Sequence, residues 1–399
     1  MKHDTPKEAP QDARDGHPTV RQSARRGAAI PGTWAACAVA SVLVLGACAS
    51  APDKPSPAAD AVSKASAAVR ADDDMKAVLD AYAAMDPKAI EKITPQQARK
   101  QPTFADAVRA VLTQQGRDAD PAAPTPGVTT RDSSVQGASG RLPARIYTPK
   151  GKGPFPVIVY YHGGGWVIAD KQVYDAGARG LAEHANAIVV SVDYRRAPEA
   201  RFPAAWDDAL AAYKAVMRNA KRLNGDPKRV ALAGESAGGN LAVATAVAAR
   251  DAGLPAPAHV LAVYPVAQTG SMSTPSYIEN AVARPLNRAM MGWFMEHTLS
   301  RPEDKQDTRL DLVHADLRGL PETTIINAQL DPLRSDGAML EKALRDAGVS
   351  VQRQDYTGVT HEFFGGAAVI EKARQAQAYA GERLRASFGS SGPVPATGR

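Results

Sequence analysis

The chain reads as an α/β protein with a mostly parallel central sheet covered by helices on both faces. Three observations predict this. Short strand-like runs at 142–147, 156–161, 188–193, 230–233 and 259–264 alternate with helical stretches, among them those beginning at Ala204 and Ala237. Such alternation is what crossover helices between parallel strands produce, and it requires both sheet faces to be covered. Second, the run at 229–233 passes into the alanine-rich segment 241–250 through Gly234-Glu235-Ser236-Ala237-Gly238-Gly239-Asn240, a strand–turn–helix corner. Third, the 399 residues contain no internal repeat, and an α/β unit of roughly 250–300 residues can close around one core.

Taken in order, the first segment is a leader. Arg25 and Arg26 precede an apolar stretch at about 33–45, which is too short to span a bilayer but suits the core of a signal peptide. Leu45-Gly46-Ala47-Cys48 resembles a bacterial lipobox, so residues 1–47 are expected to be removed and Cys48 to carry lipid at the mature N-terminus. An ordinary secretory signal cleaved at a small residue is the alternative. The other cysteine, Cys37, lies inside the leader, so no intrachain disulfide is expected after cleavage. Residues 48–70, rich in Ala, Pro and Ser, read as a flexible tether.

A helical pattern follows across 71–126: Met75, Val78, Leu79, Tyr82 and Met85 recur at three- and four-residue spacing. A second helix is expected at about 104–112. The core is then expected in two pieces, 127–268 and 301–388. Between them, 269–300 carries Tyr277, Met290, Met291, Trp293, Phe294 and Met295. So apolar a helix is most simply packed on the core, though some of these groups could line a ligand pocket. The Gly-, Ser- and Pro-rich tail at 389–399 is expected to be disordered.

The chemistry gathers at the strand ends. A G-x-S-x-G turn between strand and helix pushes its serine into an exposed, strained position above free helix N–H groups. His162-Gly163-Gly164-Gly165-Trp166 follows the run at 156–161, and its bare backbone can turn N–H groups toward one point. A further strand-like run at 323–330 ends at Asp331-Pro332-Leu333, and another at 351–356 is followed by Gly358-Val359-Thr360-His361. Ser236, Asp331 and His361 thus occur in the chain order of α/β-hydrolases, not that of chymotrypsin or subtilisin. A serine hydroxyl needs a base, imidazole titrates near neutrality, and a carboxylate can fix its tautomer. Asp336 is the rival for Asp331. Glu235 is expected to hydrogen-bond near the turn without a chemical step, and His162 to hold the glycine loop. His184, His259, His297 and His314 read as surface or satisfied core residues.

These motifs resemble those of the hormone-sensitive-lipase-like esterases, over about residues 72–385. The shared segments are His162–Gly165, the Gly234–Gly239 elbow, Asp193-Tyr194-Arg195-Arg196-Ala197-Pro198-Glu199, Phe202-Pro203-Ala204-Ala205 and Asp331-Pro332-Leu333-Arg334. The resemblance implies an α/β-hydrolase fold and a helical cap made from 71–126 and 269–300. It implies a catalytic triad of Ser236, Asp331 and His361, with oxyanion donors at the N–H groups of Gly163, Gly164 and Ala237. It further implies hydrolysis of short-to-medium acyl esters through an acyl-enzyme; amide, carbamate or lactone hydrolysis and a ligand-binding role are the alternatives. Two departures stand out. Ser335 intervenes before Asp336 where the family has an acidic residue, and Glu362 replaces the glycine that follows the histidine.

The net charge of +6 is not gathered into a Lys/Arg cluster, so nucleic acid is not an expected partner. Zinc-type spacings, a phosphate loop and a dinucleotide fingerprint are missing from the sequence, so neither metal nor cofactor is expected. A small acyl ester and, through Cys48, a membrane are the expected partners. The expected place is the bacterial envelope, at the outer membrane if the cell is Gram-negative, because Ala49 is not the retention-favouring Asp.

Overall fold

A computed structural model describes residues 70–389, all within the unit Pro55–Arg399. The leader at 1–47, Cys48, the tether up to residue 69 and the tail from residue 390 lie outside the described residues.

The strands are β1 (Val128–Gln136), β2 (Arg141–Pro149), β3 (Phe155–Tyr161), β4 (Ile188–Val192), β5 (Gly225–Glu235), β6 (Val260–Val263), β7 (Thr323–Leu330) and β8 (Val351–Thr360). They form one sheet in the order β1-β2-β4-β3-β5-β6-β7-β8. β1 pairs antiparallel with β2, and β2 with β4; every pairing from β4 onward is parallel. The expected mostly parallel sheet is therefore present.

Side chains alternate across it with the period of two that a pleated strand imposes. In β3, Val157, Val159 and Tyr161 face one apolar cluster, while Ile158 and Tyr160 face the other. The first cluster is completed by helices at Ala204–Asn219 (α1), Ala237–Asp251 (α2) and Arg334–Asp346 (α3). The second is completed by Asp175–Ala185 (α4) and Glu371–Ser387 (α5). Both faces are buried, which is why β3 reads as an unbroken apolar run and β4 as one interrupted only by Ser191.

The helices at Asp73–Ala84 (α6) and Phe104–Gln114 (α7) add Met75, Val78, Phe104 and Val111 to the second cluster. A capping box closes the start of α7: the Thr103 hydroxyl accepts from the Asp106 N–H, and the Asp106 carboxylate accepts from the Thr103 N–H. The stretch 269–300 holds the helices Pro275–Glu279 and Arg288–Thr298 (α8), and Met291, Trp293 and Phe294 of α8 join the first cluster.

β1 was not predictable from the sequence. Its nine residues carry valines only at positions 128 and 135, and most of its side chains face solvent. It is an edge strand folded onto β2, so it shows no apolar alternation. β8 runs four residues beyond the expected 351–356 and ends immediately before His361. Gly358, at φ +68°, carries the chain through a register shift there, and its N–H donates to Gln329 Oε1.

Candidate active site

β5 ends at Glu235 and α2 begins at Ala237, leaving Ser236 alone at the corner with φ 57° and ψ −118°. A non-glycine residue there costs on the order of 1–3 kcal/mol and persists only where its surroundings over-determine it. The surroundings do so. The Ser236 N–H donates to the Val263 carbonyl at 2.8 Å, and the Ser236 carbonyl accepts from the N–H groups of Asn240 and Val266. Close packing requires the glycine at 238: a Cβ there would collide with the Tyr161 carbonyl oxygen. The first turn of α2 thus sits directly on the end of β3, beside the glycine loop that starts at His162.

His361 follows β8 and Asp331 follows β7, so the ends of β5, β7 and β8 converge across the end of β6. His361 Nε2 lies 3.0 Å from Ser236 Oγ, and its Nδ1 lies 2.7 Å from Asp331 Oδ2. The other carboxylate oxygen of Asp331 accepts the Leu333 N–H at 2.8 Å. Asn280, from the insertion at 269–300 between β6 and β7, donates its side-chain amide to the Asp331 carbonyl. All three side chains are buried. Burial pulls the imidazolium down in pKa, but the charge and hydrogen bond of Asp331, with Glu362 and Glu235 behind it, hold His361 above its ordinary value. A proton can leave the serine hydroxyl along this line without any side chain moving.

Asp336, the rival carboxylate, does not touch His361. It is buried on α3 and accepts from the backbone N–H groups of Ala267 and Gln268 and from the Gln268 amide. Burial pushes its carboxyl up to about 7, against those hydrogen bonds. Glu235 hydrogen-bonds as expected, accepting from the Tyr160 hydroxyl and, at 2.5 Å, from the Tyr264 hydroxyl. Burial carries it to about 7 as well, with the two tyrosines opposing. His162 is buried, stacks on Tyr194 with ring centroids 4.4 Å apart, and sets Nδ1 2.8 Å from the Gly163 carbonyl.

Gly163 and Gly164 lie on this loop and Ala237 is the first residue of α2, where N–H groups have no partner within the helix. A Cβ on Gly163 would meet the Tyr174 hydroxyl, and one on Gly165 would meet the ring of Phe294. Phe294 of α8 therefore seats the insertion on the glycine loop. Tyr277, Met291 and Met295 line a cavity of about 190 Å³ with Gln268, Met272 and Leu299; Ser236 and His361 are not among its lining residues. Among the described residues, no group of three or more His, Cys, Asp or Glu side chains is arranged to hold a metal ion.

The sequence did not reveal the tyrosines. Tyr160, Tyr174 and Tyr264 come from three separate segments and meet beneath His361, whose ring centroid lies 4.5 Å from that of Tyr264. The only signal in the sequence was the carboxylate of Glu362 next to the histidine.

A serine, an imidazole and a carboxylate brought together at the carboxyl ends of parallel strands of one sheet define the class of α/β-hydrolases. The chain belongs to the alpha/beta hydrolase fold family, whose profile matches residues 158–365. It is similar to carboxylesterase NlhH of Mycobacterium tuberculosis, with 42% identity over 59% of this chain and 75% of the relative. Ethyl acetate hydrolase of Pseudomonas putida is 34% identical over 62% of this chain and 77% of the relative. Among solved structures, the thermophilic carboxylesterase EstE1, cloned from a metagenomic library, superimposes with a TM-score of 0.69 at 33% identity, covering 75% of this chain and 99% of its own.

Proposed function

We propose that Ser236 is the nucleophile, His361 the general base and acid, and Asp331 the orienting carboxylate of a carboxylic-ester hydrolase. The observation that carries this is the continuous Ser236–His361–Asp331 array, with contacts of 3.0 and 2.7 Å. Carboxylic-ester hydrolysis is the activity of this chain, in keeping with its esterase relatives. Ser236 Oγ attacks the acyl carbon while its proton passes to His361 Nε2. The C–O bond to the alcohol then breaks, the alcohol takes that proton, and the acyl group stays on Ser236. Water repeats the sequence: its oxygen bonds to the acyl carbon as His361 takes its proton, the acyl–serine bond breaks, Ser236 Oγ receives that proton from His361, and the acid leaves, losing its own proton to solvent. The N–H groups of Gly163, Gly164 and Ala237 would hold the oxyanion, a term worth about 3 kcal/mol per donor in comparable sites.

Short-to-medium acyl esters are the proposed substrates. The kinship with an ethyl acetate hydrolase supports this. Residues 71–126 and 269–300 are proposed as the two halves of the cap, and the motif pattern supports placing the chain with the hormone-sensitive-lipase-like esterases. An envelope location through lipid on Cys48 is proposed on the lipobox-like sequence Leu45–Cys48 alone.

The test is turnover of p-nitrophenyl esters from acetate to laurate by the wild type and Ser236→Ala. Turnover that peaks at or below octanoate and vanishes in the variant is expected. Turnover that survives the substitution would refute the assignment of Ser236, and a laurate optimum would refute the acyl preference. Metabolic labelling with a palmitate analogue, lost in Cys48→Ser, is the expected result for the anchor; equal labelling of both proteins would refute it.

A further inference from the structure

Glu362 stands where chain geometry favours glycine. Its backbone is left-handed, φ 67° and ψ 1°, which costs a non-glycine residue about 1–2 kcal/mol. Strain of this kind beside a reacting group points to a role for the side chain that bears it. Glu362 is half-buried and, among the described residues, forms no salt bridge with an arginine or lysine. Its Oε1 accepts from the Tyr174 hydroxyl at 3.2 Å. That hydroxyl occupies the space that a Cβ on Gly163 would need, so one hydrogen bond links the histidine loop to the glycine loop.

We propose that Glu362 is a positioning residue: its carboxylate, held by Tyr174, acts as a second anion beside the His361 ring and braces the histidine loop against the glycine loop. Asp331 alone anchors Nδ1, and Glu362 adds charge that favours the imidazolium present in both transition states. The inference rests on the roles proposed above for Ser236 and His361. The groups facing this pair come from every surrounding element. Asp331 lies after β7, Glu235 at the end of β5, Tyr264 after β6 and Tyr174 ahead of α4. Tyr82 of α6 senses the charge of Glu362, and Arg284 of the insertion in turn acts on Tyr82. Burial and the charge of Asp331 hold the Glu362 carboxyl above its ordinary value, while His361 and Tyr174 oppose this.

The sign of the pH effect follows. His361 must be neutral to accept the serine proton, and an anion beside it raises the pH at which it becomes neutral. Removing the anion should therefore move the acidic limb of kcat/KM to lower pH while lowering the plateau. Loss of a purely structural contact would lower the rate evenly at every pH.

The experiment is the pH profile of kcat/KM from pH 5 to 9 on p-nitrophenyl butyrate, for the full-length wild type and Glu362→Gln, which keeps an acceptor for Tyr174. The expected plateau is about tenfold lower, and at pH 5.5 the variant should retain a larger share of its own plateau than the wild type does. A profile that superimposes on the wild type, or one that falls evenly at all pH, would overturn the inference. Should Glu362→Gln not fold, Glu362→Gly removes the carboxylate without a strained side chain and is judged by the same two criteria. Covalent labelling of the wild type and Ser236→Ala by a fluorophosphonate reads the nucleophile independently, so loss of one assignment leaves the other testable.

Discussion

Asp331→Asn tests the array with a change of one atom. Both carboxylate oxygens of Asp331 face donors: Oδ2 lies 2.7 Å from His361 Nδ1, and Oδ1 accepts from the Leu333 N–H at 2.8 Å. An amide offers only one acceptor. If its oxygen turned to His361, its NH2 would confront the buried Leu333 N–H, and a buried donor without an acceptor costs about 1–3 kcal/mol. The amide oxygen is therefore expected to keep Leu333 and to present NH2 to His361 Nδ1. The ring must then accept at Nδ1 and carry its proton on Nε2, the atom 3.0 Å from Ser236 Oγ. In that tautomer it cannot receive the serine proton. The expected loss in kcat is about 10⁴-fold, or roughly 5.5 kcal/mol of barrier. The assay is kcat on p-nitrophenyl butyrate at pH 7.5, with circular dichroism melting to verify the fold. A folded variant retaining a tenth or more of wild-type kcat would refute the tautomer reasoning.

Gly238→Ala should destabilise by about 2–3 kcal/mol in urea unfolding, because its Cβ meets the Tyr161 carbonyl oxygen, which is backbone and cannot give way. Gly365→Ala is the control, with nothing within 4 Å of its Cβ; equal losses in the two would count against the packing account. Asn240→Ala leaves the buried carbonyls of Val266 and Leu310 without its side-chain amide, and a loss of about 2–4 kcal/mol is expected. A change below about 0.5 kcal/mol would show that this amide does not hold the elbow. For Glu235, the folded carboxyl lies near 7 against an ordinary 4.5. Between those values the folded chain keeps a proton that the unfolded chain has lost, so this group's contribution is full below pH 4.5 and is lost as pH rises toward 7. Glu235→Gln should flatten the fall in unfolding free energy between pH 5 and 8 by on the order of 3 kcal/mol. Parallel pH dependences for variant and wild type would contradict it.

Much of this was legible in the sequence because local chemistry carried it. β3 and β4 had to be read as buried strands, since a short run so rich in apolar residues has nowhere else to go. Gly234 and Gly238 around Ser236 announced the corner, because only glycine tolerates the close approach of strand and helix there. Ser236, Asp331 and His361 each sit just past a strand, and parallel strands deliver their carboxyl ends to one edge of the sheet. Chain order and strand ends together were enough to nominate the three.

What only the tertiary structure decided lies between segments distant in the chain. β1 has no apolar alternation because most of its side chains face solvent, so its pairing with β2 was visible only once folded. The partners of the two carboxylates were visible only once folded: Asp331 meets His361, whereas Asp336 meets the N–H groups of Ala267 and Gln268. The cluster of Glu235, Glu362, Tyr160, Tyr174 and Tyr264 unites five parts of the chain, and its hydrogen bonds exist only after the sheet has formed. Sequence determines which groups stand at the ends of strands because strand and turn are set by near neighbours. The charge felt by His361 is set by Asp331, Glu362 and Glu235, the last of them more than a hundred residues away along the chain, and folding alone brings them together.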